Sequence, residues 1–321
     1  MITMVNMQKV IVIVGPTAVG KTKMGIELAK AVNGEIINGD ATQVYKELNI
    51  GSAKVTEEEM EGIPHHLIDF LEPDASFTVA DFQKLAREKI NEISERGRVP
   101  IIVGGTGLYI QSALTDYEFA EQEGDAHLRN QLEGYAMAFG NRALHDQLKE
   151  IDPESAKNIH MNNVRRVVRA IEVYRLTGQK FSETAFNKEP EYLYESTLIG
   201  LSMEREQLYN RINERVDIMI EKGLLEEAKM LYDKGIRNYQ SVQAIGYKEL
   251  YDYFEGRLLL DETVDLIKQS SRRYAKRQMT WFRNKMNIHW FEMNGHNLET
   301  KKQEILALLE GKGYFISNTY K

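Results

Sequence analysis

The stretch Lys9–Thr22, KVIVIVGPTAVGKT, decides how the rest of the chain is read. KVIVIV is a continuous β-branched apolar run behind one lysine, the pattern of a strand buried on both faces. Gly15 to Thr22 follow with two glycines, a lysine and a hydroxyl residue at phosphate-loop spacing. Behind them, KTKMGIELAKAV has helical spacing, with Met24, Leu28 and Val32 on one face. A glycine-rich turn between a strand and a helix is where backbone N–H groups, here those of residues 17–22, gather phosphate oxygens. The candidate cradle is therefore Gly15, Pro16, Thr17, Ala18, Val19, Gly20, Lys21 and Thr22. Lys21 would neutralise the phosphates and the Thr22 hydroxyl would ligate Mg²⁺. The competing reading is an ordinary glycine turn, and the loop alone leaves open whose phosphates it holds.

Working outward, EIINGD (35–40), HLIDF (66–70) and VPIIVGG (99–105) are further short candidate strands. The segment from Ser76 to Gly97 predicts a helix opening on a capping serine and closing on glycine. Strands alternating with helices predict an α/β fold, a P-loop NTPase-like parallel sheet covered by helices. The rhythm breaks near residue 115. From EGDAHLRNQLEGYAMAFG to RAIEVYRLTG the pattern is helical and polar, and STLIGLSM (196–203) reads as a strand returning to the sheet. A helical run over 205–285, a last strand in NIHWFEM (287–293) and a peripheral helix with a frayed end, LETKKQEILALLEG, complete the reading. The expected organisation is a first part of the core over 1–115, a helical insertion over 116–192, and a completion of the core over 193–321.

The composition is that of a soluble globular protein: 321 residues, 42% hydrophobic, 28% charged and six prolines. The chain has no cysteine, which excludes disulfides and thiolate metal sites. No run approaches the ~20 apolar residues of a membrane span. The N-terminus MITMVNMQK lacks the regions of a signal peptide. No membrane association and a cytoplasmic location are expected. A net charge of −7 argues against indiscriminate nucleic-acid binding, so the placement of the 41 Lys and Arg residues matters more than their sum.

Asp40, in NGDATQVY, falls at the carboxyl end of the second predicted strand, where ligands of open α/β sheets bind. It can ligate Mg²⁺ through water, take a proton from a nucleophile, or cap a helix beginning at Ala41. Gln43 offers both donor and acceptor to a base edge. In IIVGGTGLY, Gly104, Gly105 and Gly107 let the backbone approach a ligand closely and Thr106 adds a hydroxyl, unless the segment is a plain tight turn. Asp69 sits where a Walker-B-like metal ligand would, although His65 and His66 interrupt the apolar run before it. Those two histidines point apart on a strand, which argues against a metal pair. Two basic clusters complete the inventory. NNVRRVVRAIEVYR carries Arg165, Arg166 and Arg169. SRRYAKRQMTWFRNK carries Arg272, Arg273, Lys276, Arg277, Arg283 and Lys285, interleaved with Tyr274 and Trp281. Arginines for phosphates and aromatics for stacking suit an RNA strand. Solvated helix faces are the plainer alternative, and nucleotide kinases carry such arginines too.

Taken together, GPTAVGKT, GDATQVY, GIPHHLID, GGTGLY, RRVVRAIEVYRLTG, AIGYKE and RRYAKRQMTWFR resemble the tRNA dimethylallyltransferase (tRNA isopentenyltransferase) family. They span about residues 10–285 in the family's order. Ala41–Thr42 departs from the family's usual Ser-Met or similar, leaving Asp40 and Gln43 intact. The C-terminal zinc-binding extension of eukaryotic members is absent, which implies the bacterial type. The resemblance implies transfer of a dimethylallyl group from its diphosphate to the exocyclic amine of the adenosine 3′ of the anticodon, in tRNAs reading U-initial codons. It implies Asp40 as general base, with Thr106 holding carboxylate and amine in register. Lys21, Thr22 and Mg²⁺ would act on the leaving diphosphate, and Arg215 would reach that diphosphate from a following helix. Residues Asp40, Ala41, Thr42 and Gln43 would meet the target adenosine and its neighbour. Arg129, Arg165, Arg166 and Arg169 would grip the anticodon stem-loop, and Arg273, Lys276 and Arg277 are further candidate tRNA contacts. A monomer is expected. Two other readings stay open: a P-loop kinase using ATP on a nucleoside or metabolite, and a nucleotide-gated RNA-binding protein.

Overall fold

Six strands, all parallel, form one sheet in the order β3-β2-β4-β1-β5-β6. They are β1 (Lys9–Val14), β2 (Gly34–Asn38), β3 (His65–His66), β4 (Val99–Gly104), β5 (Glu195–Met203) and β6 (His289–Met293). The computed structural model describes residues 7–117, 124–185 and 191–315. The first six residues of the segment read above for targeting signals, and the last six of the tail, lie outside them.

β1 shows why the sequence reads as it does. Successive side chains of a strand point to opposite faces. Val10, Val12 and Val14 enter one core with Ile37, Ile102 and Leu198. Ile11 and Ile13 enter the other with Ile36, Ile101, Ile199 and Leu201. Both faces are dry, so the run is apolar throughout instead of alternating. Burial of each such side chain stabilises the fold by about 1.5–3 kcal/mol.

Helices α1 (Lys21–Val32), α2 (Glu57–Met60), α3 (Val79–Glu95) and α4 (Gly107–Leu114) link the first four strands and leave the last. Met24, Leu28 and Val32 of α1 are buried, as their spacing predicts. The capping residue of α3 is corrected: Thr78, not Ser76, accepts from the Asp81 N–H, and Asp81 returns a bond to the Thr78 N–H. This reciprocal cap satisfies two otherwise orphaned donors. The third strand is also shorter than HLIDF implies. Leu67 and Asp69 take positive φ (58° and 55°), which no strand can continue.

Residues Asp116–Glu191 form a compact unit of their own. It holds α5 (Ala126–Phe139), α6 (Asn141–Ile151), α7 (Pro153–Asn158), α8 (Val164–Thr177) and α9 (Phe181–Ala185). Leu132, Leu144, Leu148, Val167 and Ile171 make its separate core.

After β5 come α10 (Arg205–Glu221), α11 (Leu224–Asp233), α12 (Tyr247–Phe254), α13 (Leu260–Lys285) and, beyond β6, α14 (Leu298–Gly311). α14 is less peripheral than its sequence implies. Ile305 and Leu309 are fully buried in the same core as α1, and the Tyr314 hydroxyl donates to the Val10 and Glu195 carbonyls. The tail closes one face of the sheet.

Candidate active site

The carboxyl ends of β1, β2 and β4 each release a loop: residues 15–20, 39–46 and 105–106. This is the crevice where open α/β sheets bind ligands. In the first loop Lys21 curls back, donating to the Gly15 carbonyl (3.0 Å) and the Pro16 carbonyl (2.8 Å). Burial lowers its pKa to about 8, with Asp40 opposing and Arg215 assisting the shift. Burial also lowers the Arg215 guanidinium from its ordinary value, again against the pull of Asp40. Lys21, Asp40 and Arg215 thus sit in one another's field, although 194 positions separate the first from the last.

Asp40 caps no helix, because none begins at Ala41. Its Oδ1 accepts from the Thr42 N–H (2.9 Å) and the Thr42 hydroxyl (2.6 Å), a local turn that pins one carboxylate oxygen. The Asp40 N–H donates to Asn38 Oδ1, and Asn38 Nδ2 donates to the Asp40 and Leu67 carbonyls. Thr106 Oγ1 accepts from the Ala41 N–H at 3.2 Å. The structure therefore brings Thr106 to the backbone beside Asp40.

Gln43 is more constrained than its sequence position implies. Its amide donates to the Ser52 and Ala53 carbonyls, leaving its oxygen as the group that can meet a ligand. Thr22, Asn38, Gln43 and His65 line one small cavity beside the phosphate loop. His65 Nδ1 lies 2.8 Å from the Ile63 carbonyl, while its buried Nε2 has no hydrogen-bond partner. Asp69, weighed as a Walker-B-like ligand, instead accepts from Lys54 at 2.5 Å.

The glycines of GGTG admit close protein neighbours. A Cβ on Gly105 would lie 2.2 Å from Gln278 Nε2, and one on Gly107 would lie 2.2 Å from the Trp281 ring. α13 packs directly over this loop. Gln278 Oε1 accepts from the Thr17 N–H (2.9 Å) and its Nε2 donates to the Gly105 carbonyl (3.0 Å). The Thr17 N–H, expected among the phosphate donors, is therefore engaged by protein. The Tyr274 phenol, one turn earlier, meets the Thr106 and Gln278 side chains, and burial pushes its pKa up. Gln278 has no counterpart among the residues the sequence singles out, and Tyr274, offered there as an aromatic for RNA stacking, packs against the site loops. The signal was present, since residues 274, 278 and 281 share one helix face.

The basic residues of α13 divide between two faces. Arg272 donates to Asn213 of α10. Lys276, Arg277, Thr280, Trp281, Asn284 and Lys285 line an open groove of about 360 Å³, and Arg273 is exposed. The Arg277 guanidinium lies 5.7 Å from the Tyr274 ring centroid. Within the insertion unit, the fully buried Glu172 accepts from Arg129 Nε and Arg169 Nη1, each at 2.7 Å. Those two arginines have a structural duty that the sequence did not reveal. Arg165 and Arg166 are exposed on α8.

No group of three or more His, Asp or Glu residues able to hold a metal occurs among the described residues. A divalent cation here would rest on the Thr22 hydroxyl, Asp40 and the phosphates themselves. That oxygen-only set fits Mg²⁺, which binds through one or two carboxylates plus substrate phosphates.

Fold and site together define a parallel α/β protein whose glycine-rich first loop shares one sheet end with a carboxylate and a buried arginine. The chain belongs to the IPP transferase family, whose model matches residues 43–285. It is 57% identical over 317 residues to a tRNA dimethylallyltransferase of Bacillus cereus (strain Q1), covering 99% of each chain. Its structure resembles the full-length tRNA isopentenylpyrophosphate transferase of Bacillus halodurans, with TM-score 0.73, 52% identity and 95% and 96% of the two chains covered. It also resembles a eukaryotic dimethylallyltransferase captured acting on tRNA, with TM-score 0.80, 31% identity and 95% and 79% covered.

Proposed function

We propose that this protein is a transferase that moves a dimethylallyl group from dimethylallyl diphosphate to the exocyclic amine of the adenosine 3′ of the anticodon, in tRNAs reading U-initial codons. The observation that carries the reading is the joining of Lys21, Asp40 and Arg215 at one sheet end, with Thr106 bonded to the backbone next to Asp40. A kinase and an allyl transferase both need the anion cradle. The relatives' names favour the latter.

In this reading the adenine nitrogen attacks the allylic C1, and the C1–O bond to the diphosphate breaks. The bonding pair leaves with the diphosphate, and the nitrogen's proton passes to Asp40. Lys21, Arg215 and the free N–H groups of the phosphate loop stabilise charge that grows on the leaving oxygen; one well-placed donor of this kind supplies roughly 10²–10³-fold. Mg²⁺, when bound through Thr22 and the phosphates, would supply further positive charge for the departing diphosphate. Proton removal by a positioned carboxylate contributes about 10²–10⁴-fold. The target base must leave its stack to reach the allyl carbon. The basic face of α13 and the exposed arginines of α8 are suited to the RNA backbone. No helix of the described residues is long and apolar enough to cross a membrane. The reading places the enzyme in the cytoplasm, working as a monomer.

A donor labelled in both the allyl carbon and the diphosphate tests this. The allyl label should appear in tRNA and the diphosphate label in solution. Phosphate label on RNA or on a small acceptor would defeat the reading.

A further inference from the structure

Gln278 lies far outside the three loops of the site, yet it bonds to two of them. Its side chain is 5% exposed, and both halves of its amide are committed. The Thr17 N–H donates to its Oε1 at 2.9 Å and its Nε2 donates to the Gly105 carbonyl at 3.0 Å. That carbonyl belongs to the same peptide unit as the Thr106 N–H, which donates to the Gly39 carbonyl at 3.2 Å. The Gly39–Asp40 peptide continues the line, its N–H donating to Asn38 Oδ1 at 3.0 Å, and Asn38 Nδ2 donates to the Leu67 carbonyl at 2.9 Å. Four amides therefore run head to tail from the phosphate loop to the backbone of Asp40. Aligned amides polarise one another, so each bond in such a row supports the next. Asn38 stands two residues before Asp40, which it supports. Gln278 is supplied by α13, 261 positions from Thr17.

We propose that Gln278 is a positioning residue that fixes the distance between the diphosphate cradle and Asp40 through this row of amides. The inference rests on the transferase reading above. It accounts for Gly105, since any side chain there would collide with the Gln278 amide. It also accounts for the use of a phosphate-loop N–H on protein: that donor holds the loop in place instead of adding to donor affinity. Removing the amide should then slow transfer without weakening donor binding.

The test is the Gln278→Met enzyme, which keeps the volume and removes both hydrogen bonds, assayed in single turnover at a temperature where it is fully folded by circular dichroism. Because misplacement by about 1 Å can cost 10²-fold, the rate of allyl transfer should fall roughly 100-fold. The KM for dimethylallyl diphosphate and the inhibition constant of inorganic diphosphate should stay within about threefold, as expected when an interaction made only in the transition state is lost. Gln278→Glu keeps the acceptor for Thr17 but sets a second oxygen against the Gly105 carbonyl, so it should be at least as slow. A Gln278→Met enzyme that transfers at the native rate would overturn the proposal. So would one whose loss lies wholly in a raised donor KM, which would make Gln278 a prop for the phosphate loop alone. If the native enzyme itself transfers no allyl group, it is the transferase reading that fails.

Discussion

Lys21 titrates in a range that can be measured. Burial lowers its pKa to about 8 from 10.5, with Arg215 assisting and Asp40 opposing. For a lysine, a lowered value means the folded chain holds the proton less tightly than the unfolded chain. The cost to stability is present in full below pH 8 and disappears above 10.5. A bound diphosphate reverses the preference, so anion binding takes up a proton in that window. The affinity for inorganic diphosphate should accordingly fall by up to about tenfold per pH unit above pH 8. Titration calorimetry in buffers of different ionisation enthalpy reads both the affinity and the proton. In Lys21→Met the proton uptake should vanish. For Asp40, the Asp40→Ala enzyme should lose about a hundredfold or more in turnover while tRNA affinity stays within threefold. Near-native turnover would remove Asp40 from the base role. Most of these residues are visible in the sequence because local spacing alone forms the loop. Gln278 was not, because its role depends on a contact with Thr17 that is 261 residues away.

Among the elements, α13 carries the most. Tyr274 and Gln278 meet the first and third loops, Trp281 packs on Gly107 and also lines the groove, and Lys276, Arg277 and Lys285 make that groove basic. Gly107→Ala drives a methyl group into the Trp281 ring, so it should destabilise the protein by about 1–3 kcal/mol, the cost of overpacking, read from denaturant unfolding. On α8, charge reversal at Arg165 and Arg166 should raise the KM for tRNA and flatten its salt dependence by about 0.7–0.9 log unit per lost phosphate contact. The KM for dimethylallyl diphosphate should not change. Equal losses for both substrates would point to a folding defect. Element boundaries were legible where a local pattern sets them, as in β1 and α1. They were misjudged where backbone dihedrals or caps decide. The left-handed residues Leu67 and Asp69 end β3 early, and Thr78 wins the cap from Ser76 because Asp81 stands three residues after it.

At the scale of the molecule, the parallel sheet follows from the alternation of short apolar runs with helical segments. It places the ends of β1, β2 and β4 side by side in the register Val14–Gly104 and Asn38–Val103. That arrangement turns three separate motifs into one site. The sequence also distinguished the polar helical stretch after residue 115, whose core is its own. It could not show that Arg129 and Arg169 neutralise a buried glutamate, since their partner Glu172 looks like any surface charge on a helix. The central claim is that the cradle holds a leaving group and not a phosphoryl donor. The most direct measurement supplies [1-¹⁴C]dimethylallyl diphosphate and, separately, [γ-³²P]ATP to the protein, with an unmodified tRNA transcript that reads a U-initial codon. A second transcript carries guanosine in place of the adenosine 3′ of the anticodon. The account expects ¹⁴C in the first transcript, none in the second, and no ³²P transfer to either. Transfer of ³²P, or ¹⁴C incorporated equally into both transcripts, would contradict it.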